Sequence, residues 1–339
     1  MWRLARQLTA HKNWQVRLWV DKPEALAAMQ PGLDLRLTHQ QCRAIEVHRW
    51  TEPFAQVEPN PVVIAGFSCD LPDSYLTALA QMTQVIWLQL EYLSAEHWVS
   101  DFHGRSAPRT DGLRPVFFFP GFAEQTGGLL LEPDLHARQA TWSHRATDPD
   151  WLASLGVVTA PETRLVSVFT YAHAPLEGLV AQMSRVEQRF HLLLPKGQRA
   201  PDLSPRSNVT WQTIDFLSQD DYDRLLWSCD LNLVRGEDSW VRAIWATRPF
   251  IWQAYHQGQD THHCKIDAWC ALAQLPEPLP HLLHEWADGQ ITTDLSPLLT
   301  AQGWQQWRQA SSQLSQKLSK QTDLASRIDL WCRKPPHLK

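Results

Sequence analysis

With 339 residues, 44% of them hydrophobic and 20% charged, the chain is too long for one typical domain and has the apolar content for two sizeable cores. A formal net charge of −5 gives no basic surplus, which argues against a general nucleic-acid binder, and no apolar run reaches the ~20 residues that span a bilayer. Cys42, Cys69, Cys229, Cys264, Cys270 and Cys332 form no C-x-x-C pair and suit a reducing cytoplasm, and "MWRLARQLTA" is a charged amphipathic helix rather than an apolar leader.

From the N-terminus, a helix over 2–11 is followed by a strand over 15–20 and the helix "KPEALAAM". "PVVIAG" (61–66) is a buried strand bounded by proline and glycine, "LPDSYLTALAQM" a helix, "QVIWLQL" (84–90) a strand, and "PVFFFPGF" a fourth. A second set starts near Arg164: strand "RLVSVFTY", helix "APLEGLVAQMSRV", strands "FHLLLP" and "VTWQTI", helix "SQDDYDRLLWSC", strand "DLNLV". Strands alternating with helices imply a parallel sheet covered on both faces, here occurring twice. The polar, turn-rich stretch 141–163 marks the boundary, so the expected division is 1–150, 151–300 and a helical tail over 301–339. In such chains the default site is the cleft between the domains, beyond the carboxyl ends of the strands.

"LNLVRGEDSW" (231–240) stands at such a carboxyl end. Gly236 permits a tight turn and close backbone approach. Asp238 or Ser239 can cap the helix "SWVRAIWAT", whose first-turn N–H groups suit a diphosphate, and Arg235 can add a bidentate charge. Glu237 repels phosphate, so its use lies with sugar hydroxyls or a cationic acceptor; equally, acidic residues favour helix N-termini through the macrodipole alone. Phe216 and Gln219, just after "VTWQTI", can stack on and read a base, or Phe216 can pack under the helix. Tyr171 holds the corresponding place one crossover earlier. The 18 tryptophans serve packing or stacking. "HHCKIDAWC" (262–270) fits no standard zinc spacing and reads as an amphipathic helix, so no metal is expected.

Several long stretches resemble the protein-arginine rhamnosyltransferases that modify bacterial elongation factor P: "LLWSCDLNLVRGEDSWVRAIWATRPFIWQAYHQ", "WLQLEYLSAEHWV", "FFFPGFAEQTGGLL", "VSVFTYAHAPL" and "WRLARQLTAHKNWQVRLWVD". The resemblance runs from end to end. It implies an α/β fold of GT-B type, two Rossmann-like domains facing a cleft with C-terminal helices. It implies inverting transfer of L-rhamnose from dTDP-β-L-rhamnose to an arginine of elongation factor P, which supports translation through polyproline stretches. It also implies no cofactor and no metal, and no nucleic-acid or membrane partner. The nucleotide sugar would sit in the C-terminal half on Tyr171, Phe216, Gln219, Arg235, Gly236, Glu237, Asp238 and Ser239, with Glu237 also in catalysis. The protein acceptor would sit on the N-terminal half; Gly121, Gly127 and Gly128 suggest a loop that comes close to this partner, or they merely shape turns.

One departure stands out. Members of the family open on a strand and a D-N-F-G-D-I-G-V-C loop bearing an aspartate general base, directly before "WRLARQL". This chain opens at "MWRLARQL", and neither Asp21 nor Asp70 matches that aspartate. The expectation is a chain shortened at its N-terminus, or started late, with impaired turnover. The alternatives are a GT-B transferase for another sugar or acceptor, or a non-catalytic binder of dTDP or elongation factor P.

Overall fold

The computed structural model describes residues 1–142, 149–202, 208–256 and 261–334. Residues 143–148, inside the expected boundary, and 335–339, the end of the tail, lie outside the described residues. The chain forms two compact units, one of Met1–Glu132 with Gln321–Lys339, the other of Pro133–Lys320. The division thus falls at Glu132, ahead of the boundary read near 150, and the tail expected as one piece from 301 is shared between the units.

The first unit opens with α1 (Trp2–Lys12), closed by Asn13 in the left-handed region at φ 56°. β1 (Arg17–Val20), α2 (Pro23–Met29), β2 (His39–Cys42) and β3 (Ile45–Arg49) follow. β1 runs parallel to β3 and β2 antiparallel to it, giving the order β1-β3-β2. β4 (Val62–Gly66), α3 (Asp73–Ala80), β5 (Ile86–Leu90), α4 (Trp98–Phe102) and β6 (Val116–Phe118) build a separate parallel sheet, order β4-β5-β6. The single sheet expected here is therefore two. The β2–β3 hairpin was not anticipated from the sequence: its two-residue turn places Arg43 and Ala44 at φ 48° and 60° without the usual asparagine or glycine.

α1 serves both sheets. Trp2 and Ala5 pack with Ile45 and Val47 of β3, while Leu4 and Leu8 pack with Leu88, Leu90, Val116 and Phe118. A cavity of about 850 Å3 lies beside it, lined by Val16 and Leu18 at β1 and Val62 and Ile64 at β4. The last helix of the chain, Leu324–Arg333, adds Leu324, Ala325 and Ile328 to the second of these cores. It is held there by long-range bonds: Gln7 Nε2 donates to Asp323 (2.8 Å) and Trp14 Nε1 to Asp329 (2.8 Å). Gln321 and Arg327 of the same segment donate to the backbone of Phe122, Glu124 and Thr126. The glycine loop is consequently an internal structure. A Cβ on Gly127 would lie 2.7 Å from the Phe118 ring, and one on Gly128 (φ +73°) 2.6 Å from the Thr322 carbonyl. Only its tip, Glu124 and Gln125, is exposed.

The second unit carries α5 (Leu135–Thr141), α6 (Pro149–Ser154), β7 (Arg164–Val168), α7 (Leu176–Met183), β8 (Phe190–Pro195), β9 (Val209–Ile214), α8 (Gln219–Ser228), β10 (Leu231–Arg235), α9 (Asp238–Ala246) and β11 (Phe250–Gln253). α10 (Thr261–Ala273), α11 (Leu279–Ala287), α12 (Ser296–Leu299) and α13 (Ala301–Leu318) complete it; α14 is the Leu324–Arg333 helix of the first unit. Its sheet is wholly parallel, in the order β11-β10-β7-β8-β9. β7, β8, β10 and β11 are buried nearly throughout, as strands covered on both faces must be, whereas the edge strand β9 exposes Thr210, Trp211 and Thr213. The chain steps outward from β7 to β9, then returns to β10 on the other side of β7. The strand order therefore reverses between β7 and β10, and the loops leaving their carboxyl ends diverge. Among the described residues no helix is long and apolar enough to cross a membrane.

α8 and α9 are joined by a buried bidentate ion pair: Arg242 Nε donates to Asp223 Oδ1 (2.9 Å) and Nη2 to Oδ2 (2.7 Å). Both side chains are nearly inaccessible. Removing one partner leaves an uncompensated charge, which costs about 3–5 kcal/mol. Asp223→Ala is expected to lower the thermal midpoint of the folded protein by several degrees, followed by circular dichroism; an unchanged midpoint would show that the pair contributes nothing net.

Candidate active site

The reversal point brings together the ends of β7 and β10. Arg235 is the last residue of β10, and Phe169 and Tyr171 follow β7. The guanidinium carbon lies 4.5 Å from the Phe169 ring centroid and 4.7 Å from that of Tyr171. Arg235 Nε is buried without a hydrogen-bond partner, and no carboxylate pairs with this guanidinium among the described residues. Two aromatic faces thus hold a cation whose N–H donors remain uncommitted to acid.

The turn after Arg235 is fixed by its neighbours. Gly236 takes φ +64°, where a Cβ would stand 3.5 Å from the Tyr171 hydroxyl. Trp252 Nε1 donates to the Gly236 carbonyl at 2.9 Å, and Trp252 stacks on Trp240 at 3.8 Å and 13°. Tyr171 is set by its own backbone N–H, which donates to Gln253 Oε1 at 2.7 Å; Gln253 is fully buried.

The capping residue is Glu237, with no side-chain cap bond, rather than Asp238 or Ser239 as read from the sequence. Ser239 is buried instead. Its hydroxyl donates to the Arg235 carbonyl and accepts from the Arg235 N–H at 3.3 Å, so it braces the turn. The physical reason is reach: as the second residue of α9, Ser239 folds its Oγ back on the strand end four residues before it, as Ser and Thr side chains do within helices. Asp238 stays exposed in the first turn. The first intrahelical bond runs from Val241 N–H to the Glu237 carbonyl, so the amides of 238–240 point outward along the helix axis beside Arg235.

Phe216 and Gln219 lie on the neighbouring loop and first turn of α8. Phe216 is 51% exposed, which removes the reading that packs it under the helix. Ser218 caps α8 by accepting from Asp221 N–H. Gln219 shares a face with Tyr222 three residues on, and the Tyr222 ring meets Phe169 at 5.7 Å. β9 is two strands from β7, so its loop stands about 10 Å away at ordinary strand spacing. Tyr171, Arg235, Gly236 and Ser239 therefore form one constellation, and Phe216 with Gln219 a second beside it.

Phe169 and Gln253 were missed by sequence reasoning. Each is the last or next residue of a strand end, and the strand-end rule that found Tyr171 and Arg235 would have included them. Lys196, immediately after β8, also sits at this edge, paired with Asp215 at 2.5 Å.

Comparison with known proteins bears on nearly the whole chain. Residues 1–333 match the family described as Elongation-Factor P (EF-P) rhamnosyltransferase EarP. A protein-arginine rhamnosyltransferase of Pseudomonas putida is 38% identical over 96% of this chain and 92% of that protein. The enzyme of the same description from Pseudomonas aeruginosa is 39% identical over 96% and 93%. A solved structure described as "Structural basis for EarP-mediated arginine glycosylation of translation elongation factor EF-P" is 29% identical, with TM-score 0.63, over 99% of this chain and 94% of its own. The α/β architecture is accordingly of the GT-B type. With a family match over residues 1–333 and relatives of this identity, the chain belongs to the EarP family of elongation factor P rhamnosyltransferases and is an enzyme of the glycosyltransferase class.

Proposed function

We propose that this chain transfers L-rhamnose from dTDP-β-L-rhamnose to an arginine side chain of elongation factor P, inverting the anomeric carbon. Family membership supports the acceptor and the sugar. The observation that carries the donor side is the Arg235 guanidinium, held between two rings beside the N-terminus of α9 and paired with no carboxylate among the described residues. A diphosphate placed there meets a bidentate cation and first-turn amides together. The base would extend toward Phe216 and Gln219.

In the transfer, an acceptor guanidinium nitrogen attacks the anomeric carbon from the face opposite the diphosphate. The new carbon–nitrogen bond forms as the bond to the diphosphate oxygen breaks. Charge building on that oxygen is taken up by Arg235 and the helix amides. The attacking nitrogen loses a proton, because a guanidinium is protonated well above neutral pH and is a poor nucleophile until it does. Glu237, at the cap of α9 next to Arg235, is the carboxylate we assign to orient the acceptor and accept that proton. The resident groups supply the chemistry without a cofactor. The setting is the cytoplasm, where the modified factor supports translation of polyproline stretches.

The direct test is mass spectrometry of elongation factor P incubated with the chain and dTDP-β-L-rhamnose, with other dTDP and UDP sugars as comparison. Rhamnosylated arginine only with the rhamnose donor is expected; modification by another sugar in preference would replace the donor assignment. Glu237→Gln should retain dTDP affinity and lose a factor of about 10²–10⁴ in turnover. An unchanged rate would move the proton to another carboxylate.

Two binding measurements separate the donor contacts by calorimetry with dTDP. Arg235→Ala should weaken binding by about 1.5–3 kcal/mol, the worth of a charged hydrogen bond. Phe216→Ala should weaken it by about 1–3 kcal/mol, as loss of a stacked ring does, and leave the thermal midpoint unchanged because the ring is half exposed. Wild-type affinity in either folded variant removes that residue from the donor site.

A further inference from the structure

We propose that His262, His263 and Asp288 bind a divalent transition-metal ion of the zinc class. His262 and His263 stand in the first turn of α10, and Asp288 caps the C-terminus of α11. Successive helix residues diverge by about 100° and do not ordinarily share a partner. Here both do: Asp288 Oδ1 lies 2.9 Å from His263 Nε2 and 3.7 Å from His262 Nε2. One ligand atom from each of the three residues falls within 4.8 Å of the others. Tetrahedral zinc with bonds of about 2.0–2.2 Å holds its ligands roughly 3.3 Å apart, so modest contraction closes this set on an ion and leaves a fourth position open.

A second set of contacts lies behind these ligands. His263 Nδ1 meets His284 Nδ1 at 2.9 Å, and His284 Nε2 meets Asp267 Oδ1 at 2.9 Å. Asp288, His263, His284 and Asp267 thus form a row with three short contacts, and His262 adds a further nitrogen at its Asp288 end.

Asp288 and the carbonyl end of α11 offset the positive end of the α10 dipole, which by itself opposes a cation. His262 is fully buried, so its ring is committed to one orientation. The row His263–His284–Asp267 is the outer shell that metal-bound histidines characteristically have, the distal N–H fixed through a partner to a carboxylate. The site also borders the donor constellation. His262 meets His256 at 4.5 Å, His256 meets His173 at 6.2 Å, and His173 lies parallel to Tyr171 at 6.0 Å and 3°. An ion on His262 would order the near end of this aromatic column.

The test uses the full chain, stripped with chelator and titrated with ZnCl2 by calorimetry, and with CoCl2 by visible absorption. Expected are one ion per chain, a tetrahedral cobalt spectrum without thiolate charge-transfer bands, and a thermal midpoint raised by zinc. His263→Ala and Asp288→Asn, both at partly exposed positions, should abolish all three while keeping the far-ultraviolet circular dichroism. Asp267→Asn should weaken zinc by about 10–100-fold, the usual effect of an outer-shell change. Cys264→Ser should change nothing. Neither should His39→Ala, which removes a second histidine–carboxylate cluster, His39, Glu46 and His48. No zinc uptake by the folded wild type overturns the proposal, and so does uptake that survives Asp288→Asn or carries thiolate bands.

Discussion

The charge on Arg235 is the constraint around which the second unit is arranged. Withdrawing an ion from water costs several kcal/mol even after relaxation. Two ring faces return about 0.5–2 kcal/mol each, depending on desolvation. Arg235 is half-buried with its Nε inaccessible, and among the described residues no carboxylate pairs with it. In the proposed reading an anionic ligand completes the site. Such a charge persists only if its surroundings cannot relax toward a better partner. The Ser239 bonds to both sides of the Arg235 peptide, the Trp252 bond to Gly236 and the Asp223–Arg242 pair behind them supply that rigidity.

The acidic residues beside this cation then have a consistent place. Glu237 and Asp238 stand at the N-terminus of α9, where the dipole favours a carboxylate by about 0.3–1 kcal/mol. That preference explains why they are tolerated and does not by itself give them a task. A task comes from order along the turn: cation first, at the strand end, then carboxylates at the helix start. In the proposed transfer, a diphosphate leaving group and a guanidinium acceptor carry opposite charges and approach the same anomeric carbon from opposite sides. A turn that presents opposite charges in succession suits that pair better than one carrying either sign alone.

Much of the second unit was legible in the sequence. Its central strands are short, mostly apolar runs ending at turn residues, and a parallel strand buried on both faces can hardly look otherwise; the edge strand β9 was read despite its polar, exposed positions. The strand-end rule put Tyr171, Arg235 and Gly236 at the carboxyl ends where the structure has them, and exposure removes the packed reading of Phe216. Ser239 was less legible because a serine at a helix start is a good cap by composition, while its actual bond to the Arg235 peptide depends on how the strand enters the turn. The β2–β3 hairpin was illegible for a related reason. "HQQCRAIEV" lacks the glycine or asparagine that normally announces two positive-φ residues, and β3 compensates by burying Ile45 and Val47 against α1. The tail was misjudged as one piece because α13 and α14 have the same amphipathic pattern. What separates them is the destination of Asp323 and Asp329, bonded to Gln7 and Trp14 more than 300 residues away, and local pattern cannot show this.

The two units differ in what stabilises them. In the second, a continuous parallel sheet of five strands carries the fold. In the first, two three-stranded sheets have no ladder in common, and a cavity of about 850 Å3 lies between the edges of β1 and β4. Atoms lining such a space lack dispersion partners on one side. Connection therefore falls to α1, which packs on β3 with Trp2 and Ala5 and on β5 and β6 with Leu4 and Leu8. α14 presses on the same helix and also anchors the backbone of the glycine loop through Arg327. One helix and the last described helix of the chain thus do for this unit what strand pairing does for the other. The sequence that defines α1, with apolar residues on two faces and Asn13 closing it, is as structural a signal as any strand in the chain.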